Sequence, residues 1–125
     1  MLINFTNHPS DKWTDDQKNS AIELYGTVKD LPFPPVPTGA GASEVIAMAD
    51  GIIDKILEMK LESPGAFAVM AQGEFTLTYA VVSRLKGMGI TVVSAVSERV
   101  VTEQVENGEV RKTALFRFAG FREYA

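Results

Sequence analysis

Helical and extended patterns of hydrophobic positions take turns along the chain as far as Val96, after which a two-residue alternation takes over. Leu2-Ile3-Asn4-Phe5-Thr6 is a short β-prone run closed by the turn formers Asn7-His8-Pro9-Ser10. Thr14-Asp15-Asp16-Gln17 has the form of a capping box whose two carboxylates complement a helix dipole. The helix it opens carries Ala21, Ile22, Leu24 and Tyr25 and stops at Gly26. Thr27 to Leu31 reads as a second strand closed by Pro32. Residues 32–42 hold four prolines and two glycines, which excludes helix and central strand alike. A connection of that length covers or borders a site.

Ser43 is placed to cap the next helix, where Val45, Ile46, Ala49, Ile52, Ile53, Ile56 and Leu57 recur at helical spacing. Gly51 inside it costs about 1 kcal/mol relative to alanine and so marks a close helix–sheet contact. Ala66 to Ala71 is apolar on both faces, as a central parallel strand between two helical layers must be. A third helix is predicted from Glu74 to Lys86, ending at Gly87 or Gly89, and a fourth strand from Ile90 to Val96. Asn107-Gly108 is a strong hairpin signal favouring a type I′ turn. Pairing across that turn sets Val105 opposite Val110, Glu103 opposite Lys112 and Val101 opposite Ala114.

The order β-α-β-α-β-α-β plus hairpin predicts a three-layer, Rossmann-like α/β sandwich. Its sheet is mainly parallel, in strand order 2-1-3-4, with a C-terminal antiparallel β-hairpin that extends the sheet or folds across its end. The expected organisation is one domain over 1–125, with the parallel unit in 1–98 and the hairpin in 99–125. A chain of 125 residues with 46% hydrophobic residues is long enough for one such core.

Charge and composition narrow the function. A balance of 12 Lys+Arg against 16 Asp+Glu argues against duplex DNA as a partner. With no cysteine, disulfides, zinc–thiolate sites and thiol nucleophiles are excluded. No apolar stretch reaches the roughly 20 residues of a membrane span, so no membrane partner and a cytoplasmic location are expected. Four of the five arginines, Arg99, Arg111, Arg117 and Arg122, fall in the last segment, as a solvated strand face or as an anion-attracting patch.

In such a sheet a ligand sits beyond the carboxyl ends of the strands, where strand order reverses. The expected site is therefore built from the loops after strands 1 and 3, with Ser97-Glu98-Arg99, read as the loop after strand 4, alongside. His8, the lone histidine, is either a locally hydrogen-bonded loop residue or a general acid–base. One histidine makes no metal triad, so no metal is expected. Asn7 and Ser10 close an Asx-type turn or donate to a ribose or phosphate. Trp13 packs at the helix entry or stacks on a base. Gln72-Gly73-Glu74 opens the third helix, where free amides and close approach at Gly73 would suit an anion unless Glu74 satisfies the dipole itself. Thr76 adds a hydroxyl. Ser97 has no G-x-S-x-G context, and Arg99 contacts a phosphate or pairs with Glu98 or Glu74. Neither G-x-G-x-x-G nor a P-loop is present, so no cofactor is implied.

Three features together carry a resemblance: Asn7-His8-Pro9-Ser10 with Trp13 and Gln17, the Gly73-Glu74-Phe75-Thr76 turn, and Ser97-Glu98-Arg99. The pattern resembles the small CRISPR-associated CARF-type proteins of antiviral defence, Rossmann-like sensors of cyclic oligoadenylate, including the stand-alone ring nucleases. The resemblance implies a homodimer with a two-fold pocket and metal-independent scission of the cyclic nucleotide. The catalytic residues would be His8, as the acid–base group, and Ser10, which together with Asn7 would hold ribose and phosphate. Gly73 and Thr76 would contact the ligand and Arg99 would offset developing charge. No lysine falls within these three motifs. The alternatives are a nucleotide sensor without catalysis and a protein-interaction domain that offers the edge of its tail hairpin.

Overall fold

A computed structural model describes residues 1–125. In chain order the elements are β1 (Leu2–Thr6), a one-turn 3₁₀ helix (Ser10–Lys12), α1 (Asp15–Tyr25), β2 (Val28–Asp30), α2 (Ala42–Leu61), β3 (Ala68–Gln72), α3 (Phe75–Gly87), β4 (Thr91–Glu106) and β5 (Glu109–Glu123). They form a five-stranded sheet of order β2-β1-β3-β4-β5, parallel except for the antiparallel β4–β5 pair. The Rossmann-like α/β architecture read from the sequence is the one observed.

Strand pleating divides the core. Ile3, Phe5, Val69, Ala71 and Val92 face α2 and α3 in a cluster of 17 buried residues, while Leu2, Ala68, Met70 and Val93 meet Trp13 and Ala21 of the α1 side in a cluster of six. The single helix on the second face covers the sheet incompletely, and the cavity described below lies on that side. No helix is long and apolar enough to cross a membrane.

Local signals were obeyed in α1, where the Thr14 hydroxyl accepts from the Gln17 amide at 3.4 Å and Gly26 ends the helix at φ 87°. Ile22 and Leu24 nevertheless lie 55% exposed, so this helix buries chiefly Ala21. Ser43 is not a cap: α2 begins at Ala42 with Gly41 in the capping position, which leaves Ser43 inside the first turn. A glycine is an acceptable cap because it leaves the first amides open to water. Gly51 marks no close contact either, since a Cβ there would meet nothing within 4 Å.

The largest departure is in the tail. β4 does not end at Val96 but runs unbroken through Ser97-Glu98-Arg99 to Glu106, so these three residues are strand and not loop. Its pairing with β3 stops at Met70↔Val93, whereas β5 follows it from Val93↔Glu123 to Glu106↔Glu109. A register shift at Val96/Ser97 leaves Ala119 without a partner beside Gly120 at φ 148°. Such a bulge strengthens twist and lets the pair leave the sheet plane. Beyond it the two strands continue as an arm, closed by Asn107 and Gly108 at φ 51° and 79°, as a type I′ turn requires.

Candidate functional site

Asn4 and Thr6 interrupt the apolar run of β1 at positions i and i+2, so both point to the α1 face, where they are buried. Buried polar groups need partners, and these two find them in the following loop. The Asn4 amide donates to the His8 carbonyl at 2.7 Å and to Asp30 Oδ1 at 2.9 Å. The Thr6 hydroxyl donates to Asn4 Oδ1 at 2.7 Å and accepts from the His8 N–H at 3.0 Å. Trp13 adds its indole N–H to the same His8 carbonyl at 3.1 Å. His8 is thus pinned by its backbone on three sides, with its side chain exposed.

The loop so fixed forms one wall of a cavity of about 540 Å³ at the carboxyl ends of β1 and β3. Asn7, His8, Lys12 and Trp13 line it from the β1 side, with Thr14 and Gln17 from the start of α1. Gln72 and Gly73 line it from the end of β3, and Ser97 and Phe116 from the root of the arm. Gln72 holds the fork between β3 and β4: its Oε1 accepts the Ala95 N–H at 2.8 Å, where the ladder has already ended. No aspartate or glutamate lines this cavity, and its ionisable groups are Lys12 and His8.

Of the ten residues selected from the sequence, Asn7, His8, Trp13, Gln72, Gly73 and Ser97 meet here, and four lie elsewhere. Ser10 is turned toward β2, donating its hydroxyl to Asp30 Oδ2 at 3.1 Å and its N–H to Oδ1 at 3.2 Å. Glu74 caps α3, accepting from the Leu77 N–H at 2.8 Å and the Thr76 N–H at 3.0 Å, while the Thr76 hydroxyl donates to the same carboxylate at 2.7–2.8 Å. Those bonds hold the Glu74 carboxyl below its ordinary range, chiefly through the Leu77 and Thr76 amides. The anion seat foreseen at this helix start is filled by the chain's own carboxylate. Thr76 borders a different trough, of about 640 Å³, between α2 and α3. Arg99 stands on the arm, opposite Phe116, and Glu98 pairs instead with Arg117 at 3.9 Å.

Gly73 has a structural reason. A Cβ on it would lie 2.4 Å from Phe33 Cε2, and the Phe33 ring stacks on Phe5 at 4.6 Å between centroids. The proline-rich loop therefore packs against the α2/α3 side of β3, and none of its residues from Pro32 to Pro37 lines the cavity. Trp13 is 7% exposed and belongs to the α1-side core, which favours packing over free stacking.

The sequence reading missed Lys12, the cation nearest the predicted loops, because it falls in the 3₁₀ turn and belongs to no motif. It also missed Asn4 and Asp30, whose signal was two polar residues on one face of a strand expected to be apolar. No three His, Asp or Glu side chains converge as metal ligands would. No curated protein and no solved structure matches the chain. Residues 1–122 match one family model, and the chain belongs to the Uncharacterized protein MJ1673 family.

Proposed function

We propose that the cavity binds the phosphate-bearing backbone of a nucleotide, and that the chain is a CARF-type nucleotide sensor with cyclic oligoadenylate as its ligand. The observation that carries this reading is the charge of the lining. In a chain with 16 Asp+Glu and 12 Lys+Arg, a cavity bordered by a lysine and a histidine and by no carboxylate selects for an anion. Lys12 acts as a mobile point charge for a phosphate oxygen. The free donors and acceptors of Asn7, Gln17 and Ser97 suit ribose hydroxyls, and Met70 with the edge of Trp13 supplies an apolar wall for a base.

A second reading, scission of the bound ring, is favoured by the His8 side chain, since all four hydrogen bonds at this residue use its backbone. In that reaction a ribose 2′-hydroxyl attacks the adjacent phosphorus as the 5′-oxygen departs, leaving a 2′,3′-cyclic phosphate. The His8 imidazole takes the hydroxyl proton or returns one to the leaving oxygen, and Lys12 offsets the charge that builds on phosphorus. Ser10, held by Asp30, takes no part.

Thermal unfolding with cyclic tetra- and hexa-adenylate, AMP and inorganic phosphate tests the binding. A cyclic ligand at a hundred times its Kd contributes about 2.7 kcal/mol, a rise in Tm on the order of 10 °C. Lys12→Glu should abolish that rise. His8→Ala should keep it while suppressing linear product. If no nucleotide shifts the wild-type Tm, the reading fails and a protein-interaction role takes its place.

A further inference from the structure

The β4–β5 arm is a ribbon open along both edges, and the two edges are not alike. From Ser97 to Glu106, β4 has β5 on one side and no strand on the other, because its pairing with β3 ends at Met70↔Val93. Across the two-residue turn Glu106 and Glu109 form a hydrogen-bonded pair, and Gln104, Thr102, Val100 and Glu98 follow in the same class. The alternate residues Val105, Glu103, Val101, Arg99 and Ser97 therefore turn their N–H and C=O groups to the open side. Ala95 continues that row, and its N–H is met by Gln72 Oε1 at 2.8 Å, a side-chain carbonyl standing where a neighbouring strand would place a main-chain one. Beyond Gln72 the chain leaves the line of β3 and turns into α3.

We propose that the open edge of β4 is a docking site for an extended segment of another protein, which pairs with Ser97 to Val105 as a third strand of the arm. The inference goes beyond the nucleotide reading and does not rest on it. A two-stranded ribbon is marginal in water, whereas three strands sharing an apolar face are stable. The apolar face is already present: Val101, Val105, Val110 and Phe116, between 51% and 73% exposed, lie on one side of the arm with Ala114 and Phe118. A strand beside β4 widens that face, its main chain supplying affinity and its alternate side chains specificity.

Charge defines the segment further. Residues 97–123 hold five basic and five acidic side chains, which gives a nucleic acid no hold along the arm. Arg111, Lys112 and Arg117 each have a carboxylate of this chain within 3.7–3.9 Å, and Arg99 has none. The docked segment thus carries an aspartate or glutamate beside Arg99 and β-branched apolar residues beside Val101 and Val105. The outer edge of β5 is the poorer template. It is broken by the bulge at Ala119 and Gly120 and carries Lys112, two devices that discourage strand addition, and the open edge of β4 has neither.

The probes are synthetic peptides of about nine residues, the span from Ser97 to Val105, with threonine alternating with every combination of valine, isoleucine and aspartate. Members of this panel should bind the full chain saturably. In amide hydrogen exchange, binding should protect Arg99, Val101 and Glu103, and should leave Ala114 and Phe116, whose N–H groups face the outer edge, unprotected. Methyl groups on the peptide nitrogens that face β4 should abolish binding, while methylation of the alternate nitrogens should not. Val101→Pro removes an N–H outside the β4–β5 ladder, as proline on an edge strand can, and should weaken binding roughly tenfold at an unchanged Tm. Ala114→Pro makes the same change on the outer edge and should leave binding intact. Absence of binding throughout the panel would overturn the proposal, as would equal losses for the two proline variants or protection of Ala114 and Phe116 in place of Val101. Protection of Val101 that grows with the concentration of the chain alone would assign the edge to a second copy and overturn it as well.

Discussion

Two glycines show how differently one residue type can be constrained. Gly51 sits in mid-helix with open space where its side chain would be, so Gly51→Ala should raise stability by up to about 1 kcal/mol in urea unfolding. At Gly73 the new Cβ meets the Phe33 ring at 2.4–2.6 Å, and Gly73→Ala should lower stability by roughly 1–3 kcal/mol. In a Phe33→Leu background that loss should shrink, because the clash is with the ring itself; an unchanged loss would place the strain elsewhere. Both glycines stood out in the sequence; the close contact inferred at Gly51 is absent, and at Gly73 the Phe33 ring supplies a reason the sequence did not show. A glycine advertises that something needs room or freedom without saying whether that something is a helix, a ligand or a neighbouring ring. His8 and Asn7 were legible as cavity residues because topology alone puts them at a strand end. Lys12 was not, since nothing short of the loop's three-dimensional path distinguishes it from any other surface lysine.

Elements whose boundaries are set by local chemistry were readable, and those set by long-range pairing were not. The Thr14 cap, Gly26, and the Asn107-Gly108 turn with its three cross-strand pairs all stand as the sequence indicates. The end of β4 does not, because the signal for a strand end at Ser97 is only polarity. A ribbon exposed on one side is polar for the same reason a loop is. α3 offers a test at this scale. Its start depends on the Glu74 carboxylate, which the Leu77 and Thr76 amides keep ionised below the ordinary glutamate value of 4.5. A depressed carboxyl contributes stability that is present above that value and lost as pH falls through its lower folded-state value. The wild type should therefore be more stable than Glu74→Gln at neutral pH, with the gap closing between about pH 5 and about pH 3. A gap that persists through acid would assign the effect to something other than the charge.

For the molecule as a whole, none of the buried residues lies beyond Val93, so the arm adds nothing to the core. Shortening it, by joining Ser97 to Phe118 through an Asn-Gly turn, should leave the free energy of urea unfolding within about 0.5 kcal/mol of the parent. A larger loss would mean that the arm braces the sheet. The fork held by Gln72 and Ala95 has a mechanical corollary. Ser97 and Phe116 belong at once to the cavity wall and to the base of a ribbon roughly 30 Å long, so a tilt of about 10° at the fork carries the tip roughly 5 Å. A ligand in the hollow that changed this tilt would therefore move the tip, and anything bound at the tip would then change that ligand's affinity by the same factor.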